Sequence, residues 1–182
     1  MKTVIYYYSK TGHTEKYAES LKSRILCDAY PIKNMKYKKM KDFDTIIFMS
    51  PVHGNKIKYI DKFLKLYKKI KDKNLIVVAV GMQPSTPDRR ETLIIVNLLK
   101  YYHIRLYELQ SGFNMKSLPW YLRKLMTIGL KVASKKEPLL KGQEGRINNL
   151  LNFPIEYNDY VGIDRIMDTI RKLERESKII EA

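Results

Sequence analysis

Short apolar runs alternate with amphipathic stretches along most of this chain. Runs rich in Val, Ile, Tyr and Phe predict buried β-strands, because β-branched and aromatic side chains fit a pleated, packed surface. Two of them are almost continuously apolar, which is typical of central parallel strands covered on both faces. The predicted strands are one starting at Val4, then Leu26–Ile32, Phe43–Met49, Leu75–Val80 and His103–Gln110.

Helical spacing of apolar residues follows most of these strands. The first helix carries Tyr17, Leu21 and Ile25 on one face. Three more are predicted: one running to about Lys71, one from about Asp88 to Tyr101 with Thr86 or Asp88 as its cap, and a closing helix from Asp159 to about Arg175. Their expected inward residues include Ile57, Ile60, Leu64, Tyr67, Ile70, Leu93, Val161, Ile166, Ile170 and Leu173. Strands alternating with helices predict βαβ units, a parallel sheet and the α/β class.

One segment does not follow this alternation. Ser117 and Pro119 are typical of a helix start, and Trp120–Val132 contains too many apolar residues for one narrow stripe. Residues 134–158 are polar, with a short helix predicted near Ile147–Leu151. We therefore expect a single domain over 1–182 with an extra helical segment near 117–155, which packs on the sheet, forms a homodimer interface or contacts a membrane.

Composition places the chain among globular proteins. Hydrophobic residues make up 45% of its 182 residues, which is enough for a core of one domain. No apolar run is long enough to span a bilayer, and the N-terminus enters a strand without a secretory signal pattern. Cys27 is the only cysteine, so no intramolecular disulfide can form. These features predict a cytoplasmic location, with contact to the inner membrane face left open.

Charge is the unusual feature of the composition. There are 35 Lys and Arg residues against 19 Asp and Glu, a formal net charge of +16. Such a field attracts anionic partners, although a lysine-rich composition without any specific partner gives the same count. The basic stretch Lys33–Lys41 interleaves lysines with Tyr37 but lies where a strand-to-strand crossover belongs. Nucleic acid is therefore not the expected partner.

The turn between the first strand and first helix has the chemistry of a phosphate site. It reads Ser9-Lys10-Thr11-Gly12-His13-Thr14. A short strand-to-helix turn directs backbone N–H groups at one point, at the positive end of the helix dipole. Gly12 would let a ligand come close, and three hydroxyls can donate hydrogen bonds. The alternative is an ordinary N-capped helix with no ligand.

This turn resembles the phosphate loop of flavodoxins. The residues that fit the family pattern, in register, are Ile5, Tyr6, Tyr7, Ser9, Gly12, Thr14, Ala18 and Leu21. The resemblance implies a three-layer flavodoxin-like fold, with a five-stranded parallel sheet of order 2-1-3-4-5 and helices on both faces. It also implies that FMN is the cofactor and that its phosphate binds at Ser9–Thr14.

Two further loops follow the third and fourth strands, where the resemblance implies contacts with the flavin ring. Their candidate binding residues are Ser50, Pro51, Val52, His53, Gly54 and Asn55 in one loop, and Gly81, Met82, Gln83, Pro84 and Asp88 in the other. Gly54 and Gly81 would allow close backbone approach to the ring. His53 is either a contact to flavin or substrate or an ordinary surface residue. Three histidines and one cysteine show no metal-ligand spacing.

Two departures from electron-carrier flavodoxins bear on function. The loops 50–55 and 81–88 contain no Trp, Tyr or Phe to stack on a flavin, and the chain is basic where such carriers are usually acidic. Both favour an oxidoreductase over a low-potential electron carrier, and with the resemblance below they lead us to expect an FMN-dependent oxidoreductase acting on a quinone, porphyrin-type or other small acceptor. The chain looks most like the flavodoxin-type, quinone-linked protoporphyrinogen oxidase group, through its loop, basic surface and the segment Leu118–Lys136. The alternatives are an electron carrier docking on a redox partner protein and an anion-binding module without flavin.

Overall fold

The computed structural model describes residues 1–113, 116, 120–136 and 155–180. The chain forms two compact units, Met1–Ser111 with Asn158–Ala182, and Gly112–Tyr157. The strands are β1 (Thr3–Tyr7), β2 (Asp28–Pro31), β3 (Thr45–His53), β4 (Lys56–Ile57), β5 (Asn74–Gly81), β6 (Arg105–Phe113) and β7 (Ile155–Asn158). The helices are α1 (His13–Ile25), α2 (Tyr37–Met40), α3 (Ile60–Leu64), α4 (Tyr67–Ile70), α5 (Pro87–Val96), α6 (Trp120–Lys136) and α7 (Tyr160–Ile180), with single 3₁₀ turns at Ile32–Asn34 and Leu99–Tyr101.

The strands of the first unit lie in the order β2-β1-β3-β5-β6, and all neighbours in this series are parallel. This is the predicted order 2-1-3-4-5, so the flavodoxin-like α/β class is confirmed. The described strands nevertheless number seven and not five. The two additions are β4, which pairs antiparallel with β3, and β7, whose backbone lies beside Gly112 in the second unit.

Helices cover both faces of the sheet because side chains alternate along each strand. In β1, which is buried throughout, Val4 and Tyr6 face a core completed by α2–α5, and Ile5 and Tyr7 face one completed by α1 and α7. The first core includes Phe48 stacked on Phe63, with ring centroids 5.0 Å apart. Each fully buried side chain of this size contributes about 1.5–3 kcal/mol by leaving water.

The helix predicted to run to Lys71 is wrong as a single element. Residues 56 and 57 form β4, and Tyr59 then adopts a left-handed backbone with φ +59°, so α3 begins only at Ile60. Leu66 N–H bonds to Phe63 C=O, three residues back, which ends α3 before α4 starts. The expected inward residues Ile57, Ile60 and Ile70 are fully buried all the same.

Left-handed residues also shorten two other predicted elements. Leu26 has φ +50° and ends α1, so the second strand begins at Asp28 and not at Leu26. Leu98 has φ +57° and separates α5 from the following 3₁₀ turn, so the predicted helix to Tyr101 is interrupted. Non-glycine residues rarely adopt this conformation, so the hydrophobic pattern of the sequence does not predict it.

The closing helix, α7, is longer than predicted, and its first turns bury different residues from those predicted. Val161, expected inside, is 63% exposed, while Ile163 and Met167 are buried. A Cβ on Gly162 would lie 2.4 Å from Cδ2 of Leu109, so this glycine is the point of close approach between helix and strand. The expected burial of Ile166, Ile170 and Leu173 is confirmed.

The second unit contains the helix predicted after Pro119, observed as α6. The predicted cap Ser117, Pro119 itself and the predicted helix Ile147–Leu151 lie outside the described residues. The expectation of one domain with an added segment near 117–155 stays a prediction. None of the described helices is long and apolar enough to cross a membrane.

Two buried tyrosines differ in how their hydroxyls are satisfied. The Tyr6 hydroxyl has no hydrogen-bond partner among the described residues, and burial, together with nearby Tyr30 and Asp28, raises its pKa to about 12. The Tyr17 hydroxyl donates to the Gln110 carbonyl and accepts from the Asp159 N–H at 2.7 Å. It therefore connects α1 to β6 and to the residue before α7.

The same substitution at these two tyrosines should have opposite effects on stability. Tyr6→Phe removes a buried hydroxyl that has no partner, so we expect an unchanged free energy of unfolding or a gain of about 1 kcal/mol. Tyr17→Phe leaves the Asp159 N–H without its acceptor, so we expect a loss of about 1–3 kcal/mol. Urea unfolding of both variants is the measurement. Equal changes in the two would contradict this account of the hydroxyls.

Candidate functional site

Topology brings the three predicted loops to one edge of the sheet. The chain leaves β1 for β2 on one side, while β3 pairs with β1 on the other, which creates a switch point between β1 and β3. Ligands of open α/β sheets bind at the carboxyl ends of strands at such a point. The loops after β1, β3 and β5 follow three adjacent parallel strands, so all three lie at that edge.

The first loop has a left-handed glycine at its end. Gly12 has φ +87°, and a Cβ built on it would have no atom within 4 Å, so open space lies over its backbone. Its N–H donates to Oγ of Ser9 at 3.1 Å, which closes the turn. Lys10 and Thr11 are exposed, and Ser9 is half-buried. The loop is thus closed on itself and open to solvent on one side.

The N-terminus of α1 presents backbone donors to this loop. No side chain caps the helix, and its first hydrogen bond runs from Lys16 N–H to Gly12 C=O at 2.9 Å. The N–H groups of Thr14 and Glu15 precede that bond, where helical donors have no intrahelical acceptor. Thr14 itself is buried, at 3% exposure. A side chain does cap α5, where Thr86 accepts from the Arg89 N–H. The start of α1 is therefore suited to an external anion.

The second predicted loop is mostly strand. Ser50–His53 belongs to β3, which turns back into β4 through the pairs Val52–Ile57 and His53–Lys56, so only Gly54 and Asn55 form the turn. Gly54 supplies the positive φ of +60° that a two-residue hairpin turn needs. The buried Ser50 hydroxyl donates to the Lys58 carbonyl at 2.6 Å. That hydroxyl holds the hairpin, while His53, Gly54 and Asn55 are exposed at its tip.

A buried asparagine anchors this hairpin from a distant helix. Asn97, 1% exposed at the end of α5, accepts from the Ile57 N–H at 2.8 Å. Its amide nitrogen donates to the carbonyls of Asn55 at 2.9 Å and Leu93 at 2.8 Å. Three hydrogen bonds in a low-dielectric interior fix the tip of the hairpin against α5.

An ion pair organises the third loop. Arg89 Nε lies 2.9 Å from a carboxylate oxygen of Glu108, and both side chains are largely buried, at 12% and 5% exposure. Arg89 also donates to the Gln83 side-chain oxygen, and the Ser85 hydroxyl donates to Glu108 at 2.9 Å. A Cβ on Gly81 would lie 2.9 Å from the Arg89 guanidinium, so this glycine makes room for the ion pair.

The other predicted residues of this loop lie at the surface. Met82, Gln83, Pro84 and Asp88 are all exposed, and Asp88 lies within α5 and not in the loop. The Met82 carbonyl accepts from the Gln110 side chain at 3.1 Å, which ties the loop to β6. The predicted capping of this helix by Thr86 is confirmed, and Asp88 does not take that position.

Contacts and charges show that the three loops lie near one another. The position of a Cβ on Gly81 is 3.7 Å from Cβ of Val52, which brings the second and third loops together. Partial burial lowers the pKa of His53, and the positive charges of Lys58 and Lys10 lower it further. The first and second loops therefore share one positive field, which favours a bound anion.

An aromatic pair that the sequence analysis missed borders this site. Tyr8, directly after β1, packs edge-to-face on Tyr59 with ring centroids 4.7 Å apart. The ammonium groups of Lys58 and Lys62 lie 5.4 and 4.8 Å from the Tyr59 ring centroid, within cation–π range. Tyr59 also lines a cleft of about 340 Å³ with Lys56 and Asp61. Aromatic surface is thus present beside the hairpin, although none lies within residues 50–55.

Only one of these missed residues left a signal in the sequence. Asn97 is a polar residue on the face of a helix that otherwise points inward with Leu93, which indicates a buried hydrogen-bonding role. The Arg89–Glu108 pair joins elements far apart in the chain, and the Tyr8–Tyr59 pair depends on the left-handed backbone of Tyr59. Neither leaves a local pattern.

Metal-ligand clusters and the one cysteine were the remaining candidates for chemistry among the described residues. No group of three His, Cys, Asp or Glu side chains within them could hold a metal ion. Burial, with the charge of nearby Asp28, raises the pKa of the Cys27 thiol to about 11. Since the thiolate is the reactive form, the raised pKa keeps Cys27 as the less reactive thiol at neutral pH.

Substitution of Asn97 should loosen the hairpin in a graded way. Asn97→Leu deprives the Ile57 N–H of its acceptor, whereas Asn97→Asp keeps that acceptor but places a carboxylate beside two carbonyls. We expect each variant to lose about 1–3 kcal/mol of unfolding free energy. Amide exchange at Ile57 should accelerate more in the Leu variant than in the Asp variant. Equal protection of Ile57 in the two variants would show that Asn97 does not hold the strand.

Removal of Lys10 should raise the pKa of His53. The charge of Lys10 opposes protonation of the imidazole, so Lys10→Gln moves this pKa back toward its ordinary value. Since the folded-state pKa is lowered, His53 destabilises the fold as pH falls through the ordinary histidine range, and the variant should lose less stability there. Histidine NMR titration measures the shift. The control is Lys65→Gln, at an exposed lysine directly after α3, which should leave the pKa of His53 unchanged.

Comparison with known proteins agrees with the fold. The family model described as "Flavodoxin domain" matches residues 4–138, which include all three loops. No curated protein is significantly similar in sequence. Similar solved structures include two-electron reduced flavodoxin from Megasphaera elsdenii, at 16% identity over 58% of this chain and 82% of that chain, with a TM-score of 0.44.

Two other solved structures show a similar level of likeness. A WrbA-like flavodoxin from Agrobacterium tumefaciens is 18% identical over 60% of this chain and 83% of its own, with a TM-score of 0.45. A flavodoxin from the domain Archaea is 18% identical over 74% of this chain and 98% of its own, with a TM-score of 0.40. The assignment itself rests on the family model, which spans well over half of the sequence. This chain belongs to the flavodoxin domain family.

Proposed function

We propose that this protein binds FMN and is an FMN-dependent oxidoreductase that transfers electrons between a reduced donor and a quinone, porphyrin-type or other small acceptor. The observation that carries the proposal is the start of α1. An uncapped helix N-terminus follows a left-handed Gly12 with open space above it, at the switch point of a flavodoxin-family sheet. Backbone donors and helix dipole together favour a phosphate at this place.

The residues of the first loop fit a phosphomonoester. Backbone N–H groups at the start of α1 and the hydroxyls of Ser9, Thr11 and Thr14 would donate to its oxygens. Lys10 and Lys58 would add positive potential, since both contribute to the shared field described above. The hairpin tip and the loop starting at Gly81 would then border the flavin ring. When bound, FMN accepts electrons and protons from a reduced donor and passes them to an acceptor.

Two features support an oxidoreductase over an electron carrier. The hairpin tip Gly54–Asn55 and the loop Gly81–Thr86 contain no aromatic side chain, so a ring between them would have a face accessible to a small acceptor. The local charge is positive, through Lys10 and Lys58, and a positive site stabilises a reduced, anionic flavin. Anionic acceptors, including a porphyrin with propionate groups or an acidic small molecule, would suit the same field.

Comparison of FMN with riboflavin tests the phosphate contact directly. Riboflavin lacks the phosphate, so the wild-type protein should bind FMN far more tightly than riboflavin. Thr14→Val removes one hydroxyl without a change of shape, and we expect about a tenfold loss of FMN affinity, as for a hydrogen bond to a charged group. Riboflavin affinity should stay unchanged in this variant. Titration of flavin fluorescence measures both, with Thr92→Val, on the α5 surface, as control.

Equal affinity for the two flavins would exclude a phosphate site at this loop. No binding of either would exclude the flavoprotein function altogether.

Reoxidation kinetics distinguish the enzyme from the carrier. After reduction of the FMN-loaded protein, a water-soluble quinone should reoxidise it rapidly in a two-electron step. Release of electrons one at a time, with slow reaction toward the quinone, would instead favour a carrier that docks on an acidic redox protein.

A further inference from the structure

Helix α6 exposes a line of apolar side chains. Tyr121, Leu125, Ile128 and Val132 are each between 45% and 66% exposed, and Trp120 is 75% exposed. The spacing of four, three and four residues places the first four along one side of the helix. Scattered exposed apolar residues are ordinary, but a continuous stripe on one helix marks an interaction surface.

The charge of the helix limits what this stripe can contact. Its 17 residues include Arg123, Lys124, Lys131, Lys135 and Lys136 and no Asp or Glu. By helical spacing, Lys124 lies at one border of the stripe, where it is exposed. Because the helix carries cations and no anions, apposition of a second copy of it would place like charges near one another, which disfavours a dimer at this face.

We propose that α6 is a docking surface for an anionic lipid membrane, on which it lies parallel to the bilayer plane. The apolar stripe would enter the boundary between headgroups and acyl chains, and the flanking cations would contact anionic headgroups. The helix is not long and apolar enough to cross a membrane, which agrees with a surface position. Trp120 and Tyr121 at its start are the side chains that favour the interface.

The only tryptophan of the chain, Trp120, reports on this binding. Its exposed indole should emit at long wavelength in buffer and shift to shorter wavelength when vesicles of equal phosphatidylcholine and phosphatidylglycerol are added. Phosphatidylcholine vesicles alone should produce little shift. Brominated acyl chains should quench the emission if the indole enters the acyl boundary. Because the whole chain carries +16 charge, sedimentation with anionic vesicles alone would not identify the helix, whereas the Trp120 shift does.

A matched pair of double variants tests the stripe. Leu125→Gln with Ile128→Gln removes its centre, and we expect vesicle affinity to fall by about tenfold or more as buried apolar area is lost. The control is Leu26→Gln with Ile179→Gln, which removes two apolar side chains that are even more exposed, one directly after α1 and one on α7. This control should bind vesicles like the wild type. Lys124→Gln should weaken binding moderately and reduce its sensitivity to salt.

Three results would overturn the proposal. One is the absence of any Trp120 shift with anionic vesicles at low salt. Another is equal vesicle affinity in the two double variants, which would assign binding to overall charge. The third is a dimer, seen by sedimentation velocity, that is lost only in the Leu125/Ile128 variant while vesicles produce no shift. That last result would assign the stripe to a second copy of the chain.

Discussion

The parallel pairing of β1 with both β2 and β3 is the constraint on which the rest of the first unit depends. Every side chain of β1 is buried, so its backbone must be paired on both sides. The chain reaches β2 through α1 on one face and must then cross to the opposite side of β1 for β3. The connections that follow β1 and β3 therefore lie on opposite faces of the sheet, and this arrangement leaves room at the start of α1.

Buried polar side chains then hold the loops that border this space at the start of α1. Asn97 holds the hairpin after β3, and the Arg89–Glu108 pair holds the loop after β5. Each comes from an element outside the three loops, and each would be costly to leave without its partner in a low-dielectric interior. The loops that would contact a ligand are therefore positioned by rigid helices and strands, which reduces the ordering needed on binding.

The strands could be predicted because parallel strands buried on both faces produce continuous apolar runs such as Leu75–Val80, whereas their order came from the resemblance of the first loop to flavodoxins. The loop at Ser9–Thr14 could be located because its chemistry is local. Several predicted helix and strand boundaries were wrong for one physical reason. Leu26, Tyr59 and Leu98 adopt a left-handed backbone conformation, which tertiary packing enforces and the local sequence does not indicate. The hairpin of β3 and β4 was hidden for the same reason, since Tyr59 interrupts what otherwise looks like one amphipathic helix.

Asp159 links the end of the first part of unit one, at Gln110, to the start of α7. One carboxylate oxygen accepts from the Gly162 N–H at 2.8 Å and so begins α7, while the other accepts from the Gln110 N–H at 3.1 Å. The two points where the chain leaves and rejoins the first unit are thus fastened to each other. Residues 112–157 are an excursion between neighbouring anchor points, and closing a long excursion costs little more than closing a short one. Because its two ends lie side by side, the length of this segment is not set by the distance that it has to span within the first unit.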